Sequence, residues 1–166
     1  MARRRRRWLL TALVAAVAAV AAVTLLPQRR VVTVASAQDG RTIESMPLPA
    51  VGRFEMYFRQ SIYDADAYES FVADGDAGFV LVALRSTNEG VLDYYALEGR
   101  RTHIGAWTHL ALDRPQHFDR LPIVGTRLGR RTLIVGDRRL PLAGPDGSTR
   151  HLVIRVERRP WLLAGL

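Results

Sequence analysis

The 166-residue chain contains no cysteine and no lysine. The first absence excludes a disulfide framework, a thiol nucleophile and cysteine-based zinc or iron–sulfur sites. The second makes every one of the 24 basic residues an arginine. With alanine, valine and glycine abundant, that reads as a GC-rich coding bias and lowers the weight of arginine-rich patches as functional signals. Acid is missing from residues 1–30, which hold seven arginines, and the remaining 17 basic and 16 acidic residues nearly cancel. A remainder of net charge +1 has no electrostatic reason to seek nucleic acid or anionic lipid. There is no internal repeat. Gly125-Thr126-Arg127-Leu128-Gly129-Arg130-Arg131 lacks the Gly-Lys-Ser/Thr ending of a phosphate loop. His103, His109, His117 and His151 show no His-x-x-x-His or His-Glu-x-x-His spacing, so no metal site is expected. No nucleophile–base–orienter set stands out. The sequence therefore predicts a non-enzymatic protein with no catalytic residue and no cofactor.

What the chain does have is one long uncharged run, Trp8 to Leu26, entered through Arg3, Arg4, Arg5, Arg6 and Arg7. As a helix it would extend roughly 28 Å, close to the ~30 Å of a bilayer core. Five arginines before the run against Arg29 and Arg30 after it place the N-terminus in the cytoplasm by the positive-inside rule. The expected layout is a cytoplasmic basic stub (1–7), a transmembrane anchor (8–26), a short linker (27–30), an exported domain (31–158) and an apolar tail (159–166). That tail is too short to span, and either packs on the domain or touches lipid. The predicted location is the cytoplasmic membrane, single-pass, with the C-terminal domain periplasmic or extracellular.

A cleaved signal is the rival reading. Ala35-Ser36-Ala37 before Gln38-Asp39 fits a small-x-small cleavage site, and Arg5-Arg6-Arg7-Trp8-Leu9-Leu10 loosely resembles a twin-arginine entry. Against it, the apolar run exceeds an ordinary signal core. The site also falls in the first strand of an expected hairpin, Val31–Ala37 and Arg41–Met46 around Asp39-Gly40. Small residues four apart in the run (Ala12/Ala16, Ala15/Ala19, Ala18/Ala22) would admit a second helix, or merely reflect alanine bias.

Beyond Val31 the chain reads as short strands separated by turn signals. Phe54, Met56 and Phe58 alternate with Glu55, Tyr57 and Arg59. Ala67–Val72 returns, and Phe79–Leu84 is apolar throughout, as a central strand covered on both faces would be. Residues 91–106 have no convincing period and are open between a short helix and a long loop. Trp107–Leu112, Leu121–Val124, Arg131–Val135, Arg138–Leu142 and an alternating segment over Leu152, Ile154 and Val156 complete the set, with Gly136-Asp137 as a Gly-first turn. Strands at this spacing predict an all-β domain, a small antiparallel β-sandwich preceded by a single transmembrane helix.

Ser61 and Glu69, with Gln60, form the most local polar set, across a tight turn. They could bind a small polar ligand or a partner's backbone, or simply satisfy turn amides. Asp64, Asp66, Glu69, Asp74 and Asp76 lack the ligand spacing of a calcium loop and read as turn residues. Trp107, Tyr94, Tyr95 and Trp161 could line a ligand cleft, fill the core or lie toward the membrane.

Gly52-Arg53-Phe54-Glu55-Met56-Tyr57-Phe58-Arg59-Gln60-Ser61-Ile62-Tyr63, then Tyr68-Glu69-Ser70-Phe71, and later Leu133–Leu142, together resemble an uncharacterised bacterial family, the domain of unknown function 1850. The resemblance covers nearly the whole exported part. It departs at Gln60, where the family usually has His, so any role needing an imidazole there would be absent. The resemblance implies a membrane-anchored domain without established activity, often encoded beside tripartite (TRAP-type, TAXI) solute transporters. The expected partners are the bilayer, through residues 8–26, and a transporter permease or binding protein. The alternative is a soluble exported β-domain, released after Ala37, that binds a small ligand or protein.

Overall fold

The computed structural model describes residues 28–160. The expected anchor (8–26), the topology arginines Arg3 to Arg7 and Trp161 lie outside the described residues. Among the described residues no helix is long and apolar enough to cross a membrane.

Eleven strands and one short helix make up the described chain: β1 (Gln28–Ser36), β2 (Thr42–Pro47), β3 (Arg53–Gln60), β4 (Ala65–Ala73), β5 (Phe79–Ser86), α1 (Glu89–Tyr94), β6 (Gly99–Ile104), β7 (Trp107–Phe118), β8 (Leu121–Gly125), β9 (Thr132–Val135), β10 (Arg138–Pro141) and β11 (Arg150–Pro160). They form two antiparallel sheets, one ordered β2-β1-β11-β8 and the other β10-β9-β3-β4-β5-β7-β6. The domain is thus mostly β. A single core joins the sheets: Val32, Val34, Ile154 and Val156 from the first lie with Phe54, Met56, Phe71 and Leu133 from the second.

The period-two pattern explains the inner faces. Phe54, Met56 and Phe58 are all buried, and opposite them Ala67, Glu69 and Phe71 alternate with half-buried residues along β4. Phe54 and Phe71 stack at 5.1 Å between ring centres, and Phe79 meets both edge-on. In β5 the expectation of burial on both faces is corrected. Phe79, Leu81 and Leu84 are buried, whereas Val80, Val82 and Ala83 are only partly covered. On that outer face Arg85 lies 4.0 Å over the Tyr68 ring and bonds Glu55 at 3.1 Å.

Two expected boundaries also move. Of the linker assigned to 27–30, residues 28–30 belong to β1, which begins at Gln28 and pairs with β11 from Gln28↔Pro160 onward. By the same pairing β11 runs two residues into the expected tail. Within residues 91–106 the chain makes both a helix and a strand. Asn88 caps α1 by accepting the Gly90 N–H at 2.9 Å, and Val91 and Leu92 are its buried residues. Small Ala65 and Ala67 on the inner face of β4 leave room for Val91 to pack there, with Tyr95 alongside.

Candidate functional site

The larger sheet has seven strands against four. Where the chain passes from β7 to β8 through Asp119 and Arg120, a cavity of about 700 Å³ lies between the sheets. Its apolar lining includes Phe58, Phe71, Leu81, Phe118, Leu121 and Ile123; Tyr94 and Tyr95 come from the end of α1. Its polar lining includes Gln60, Ser61, Glu69, Gln116 and Arg131. The structure therefore brings Gln60, Ser61 and Glu69 to the wall of one cavity, although not as a contacting set. Gln60 sits opposite Ala65 at the end of the β3–β4 ladder, whereas Glu69 sits opposite Met56, four residues further along. The pairing of Ser61 with Glu69 across the turn is corrected accordingly. Gln60 does serve the turn, its side-chain oxygen accepting the Ile62 N–H at 3.3 Å.

Glu69 is the most unusual group of the set. Strand parity fixes it on the inner face between Ala67 and Phe71, and it is 8 % exposed. One carboxylate oxygen accepts the Tyr95 hydroxyl at 2.5 Å. Burial raises the pKa of Glu69, outweighing the Tyr95 hydrogen bond and the Arg131 charge, which both act to lower it. The same burial, with Glu69 beside it, raises the pKa of the Tyr95 phenol. Both groups are thereby driven toward their neutral forms.

Arg131 completes the floor. Continuing the β3–β9 register one step beyond Tyr57↔Thr132 sets it opposite Phe58, on the face of buried Leu133. Its guanidinium carbon lies 5.2 Å from the Phe58 ring centre. Its Nη1 donates to the Met56 sulfur at 3.8 Å. Met56 is the cross-strand neighbour of Glu69, so acid and guanidinium flank one buried thioether.

The remaining candidates disperse. Asp64 and Asp66 both pair with Arg59, and Asp66 also accepts the Tyr57 hydroxyl, the larger of the influences that hold its carboxyl below the usual range. Asp76 pairs with Arg158. His117 lies between Asp74 and Asp119 on the surface, and its hydrogen bond to Asp119, followed by that to Asp74, raises its pKa. Trp107 stacks edge-on against Tyr68, away from the cavity on the outer face with Arg85. Cavity residues that sequence reasoning missed include Arg131, placed there only as the first residue of a strand, Gln116 and Phe118. Arg131 shares parity with Leu133 and Val135, the signal that would have turned it inward.

Comparison with family models, with curated proteins and with solved structures finds no match to this chain.

Proposed function

We propose that this chain is a membrane-tethered, non-enzymatic binding domain on the outer face of the cytoplasmic membrane, serving a TRAP-type (TAXI) solute transporter as an accessory or assembly component. The observation that carries the tethering is the position of β1. It lies between β2 and β11, inside its sheet, and it starts two residues after the apolar run ends at Leu26. Cleavage after Ala37 would remove all of β1, so a folded domain argues for a retained N-terminal segment. The cavity supplies the binding surface. Its polar groups include the Glu69 acid, the Tyr94 and Tyr95 phenols, the Arg59 and Arg131 guanidinium groups, amides and Ser61, a set suited to hydrogen-bonding a ligand.

The transporter link rests on the family resemblance of residues 52–63, 68–71 and 133–142. Gln60 in the usual place of His puts a neutral amide on the cavity wall. Affinity purification of the full chain from detergent-solubilised membranes tests that link. A TRAP permease subunit or its binding protein should copurify, and a preparation without any permease subunit would overturn it. Protease accessibility in spheroplasts tests the tether: the domain should be degraded from outside while remaining with the membrane fraction.

A further inference from the structure

We propose that the cavity between the sheets takes a small monocarboxylic acid with an apolar body, its carboxylate on the Arg131 guanidinium and its body against the Phe58, Phe71 and Phe118 rings. The inference rests on reading the cavity as a binding site, and adds the chemical class of its occupant.

Four arginines, Arg59, Arg85, Arg101 and Arg159, each hold a carboxylate at 3.1 Å or less. Arg131 forms no such ion pair among the described residues; its polar side-chain contact is the Met56 sulfur, a weak acceptor. A guanidinium presents its donors in a planar fork that matches a carboxylate with two parallel hydrogen bonds. This one is half-buried, against the Phe58 ring and a buried thioether.

Glu69 does not neutralise that charge by contact. Its carboxyl is engaged by the Tyr95 hydroxyl, and burial shifts it toward the neutral acid. The Arg131 guanidinium is left without a carboxylate partner among the described residues, and its complement is a carboxylate. A cavity of about 700 Å³ accommodates a ring with a short chain.

The test is calorimetric titration of the full chain in lipid nanodiscs, with empty discs as reference, using 4-phenylbutyrate, 4-phenylbutanol and 4-phenylbutylamine. The acid should bind roughly tenfold or more tightly than the alcohol, as a charge-assisted bidentate contact requires, and the amine most weakly. Arg131→Gln should remove the preference for acid over alcohol while alcohol affinity changes by no more than about twofold, showing that the cavity is intact. If Arg131→Gln does not fold, Arg131→Lys is the readout: it keeps the charge, loses the fork, and should cut the preference several-fold. Glu69→Gln should leave acid binding equal or tighter. Amine binding tighter than acid, a preference surviving in the Arg131 variants, or loss of acid binding in Glu69→Gln would overturn the ligand class while leaving the cavity a binding site. No saturable binding of any of the three would overturn both readings.

Discussion

Removing residues 1–37 should abolish the fold, whereas a chain beginning at Gln28 should keep it. The shorter chain loses β1 and with it Val31, Val32 and Val34, each at most 1 % exposed. At about 1.5–3 kcal/mol for each fully buried valine side chain, the three contribute roughly 5–9 kcal/mol. A domain of this size has a net stability of about 5–15 kcal/mol, so this loss alone is comparable with the whole. Backbone losses come on top. β11 pairs with β1 over nine residues and β2 pairs with its other side, so both would face solvent along one edge. The shorter chain also loses the Thr33 hydroxyl, which donates to Glu157 at 2.9 Å, leaving that carboxylate with Arg159. Thermal melts followed by circular dichroism, with the two chains in parallel, check this. The chain from Gln28 should melt cooperatively, and the chain from Gln38 should show no cooperative transition. A cooperative melt of the Gln38 chain within a few degrees of the other would refute the reasoning, and with it the structural argument against cleavage after Ala37.

Glu69→Gln should stabilise the protein at neutral pH and not in acid. The pKa of Glu69 is raised in the fold, so its contribution is full below the ordinary carboxylate range and is lost as pH rises through its raised value. The difference in melting temperature between variant and wild type, followed against pH, should therefore open on going from acid to neutral; a constant difference would contradict the burial argument. Tyr95→Phe should cost about 1–3 kcal/mol by leaving the buried Glu69 oxygen without its donor, and clearly less in a Glu69→Gln background, as a double-mutant cycle by denaturant unfolding would show. Gly125→Ala should destabilise by about 1–3 kcal/mol or more, since the new Cβ would fall 2.2 Å from the Leu142 carbonyl oxygen and backbone would have to move; an unchanged unfolding midpoint would show that β8 is less closely held there.

The strands were legible where one face is apolar and the other polar. Phe54, Met56 and Phe58 announce β3, and Leu152, Ile154 and Val156 announce β11, because burial of one face imposes the alternation. β6 gave no such signal, for Arg100 to Ile104 are exposed on both sides and nothing constrains the pattern. α1 is too short to establish a helical period, with two adjacent buried residues and a cap at Asn88. Of the cavity, Glu69 could be singled out because it shares parity with Phe71. Tyr95 could be named as a cleft candidate, but not as the partner of Glu69, since it lies 26 residues away in the stretch without a period. Arg131 was obscured by company: in a chain whose only cation is arginine, one more beside Arg130 reads as solvated surface.

The first described strand finds its longest pairing with the last, Gln28 opposite Pro160 and Ser36 opposite Leu152. Closure of that sheet therefore waits for β11 to emerge, and the loop to be closed spans more than a hundred residues. Folding should be slow for a domain of this length, with the β3–β4–β5 meander forming early from neighbours in sequence and the β1–β11 seam zipping late. Until that seam forms, the edge of the β1–β2 hairpin along Val31 to Ala35 remains open, which makes the period before completion the time when this protein most needs protection from aggregation.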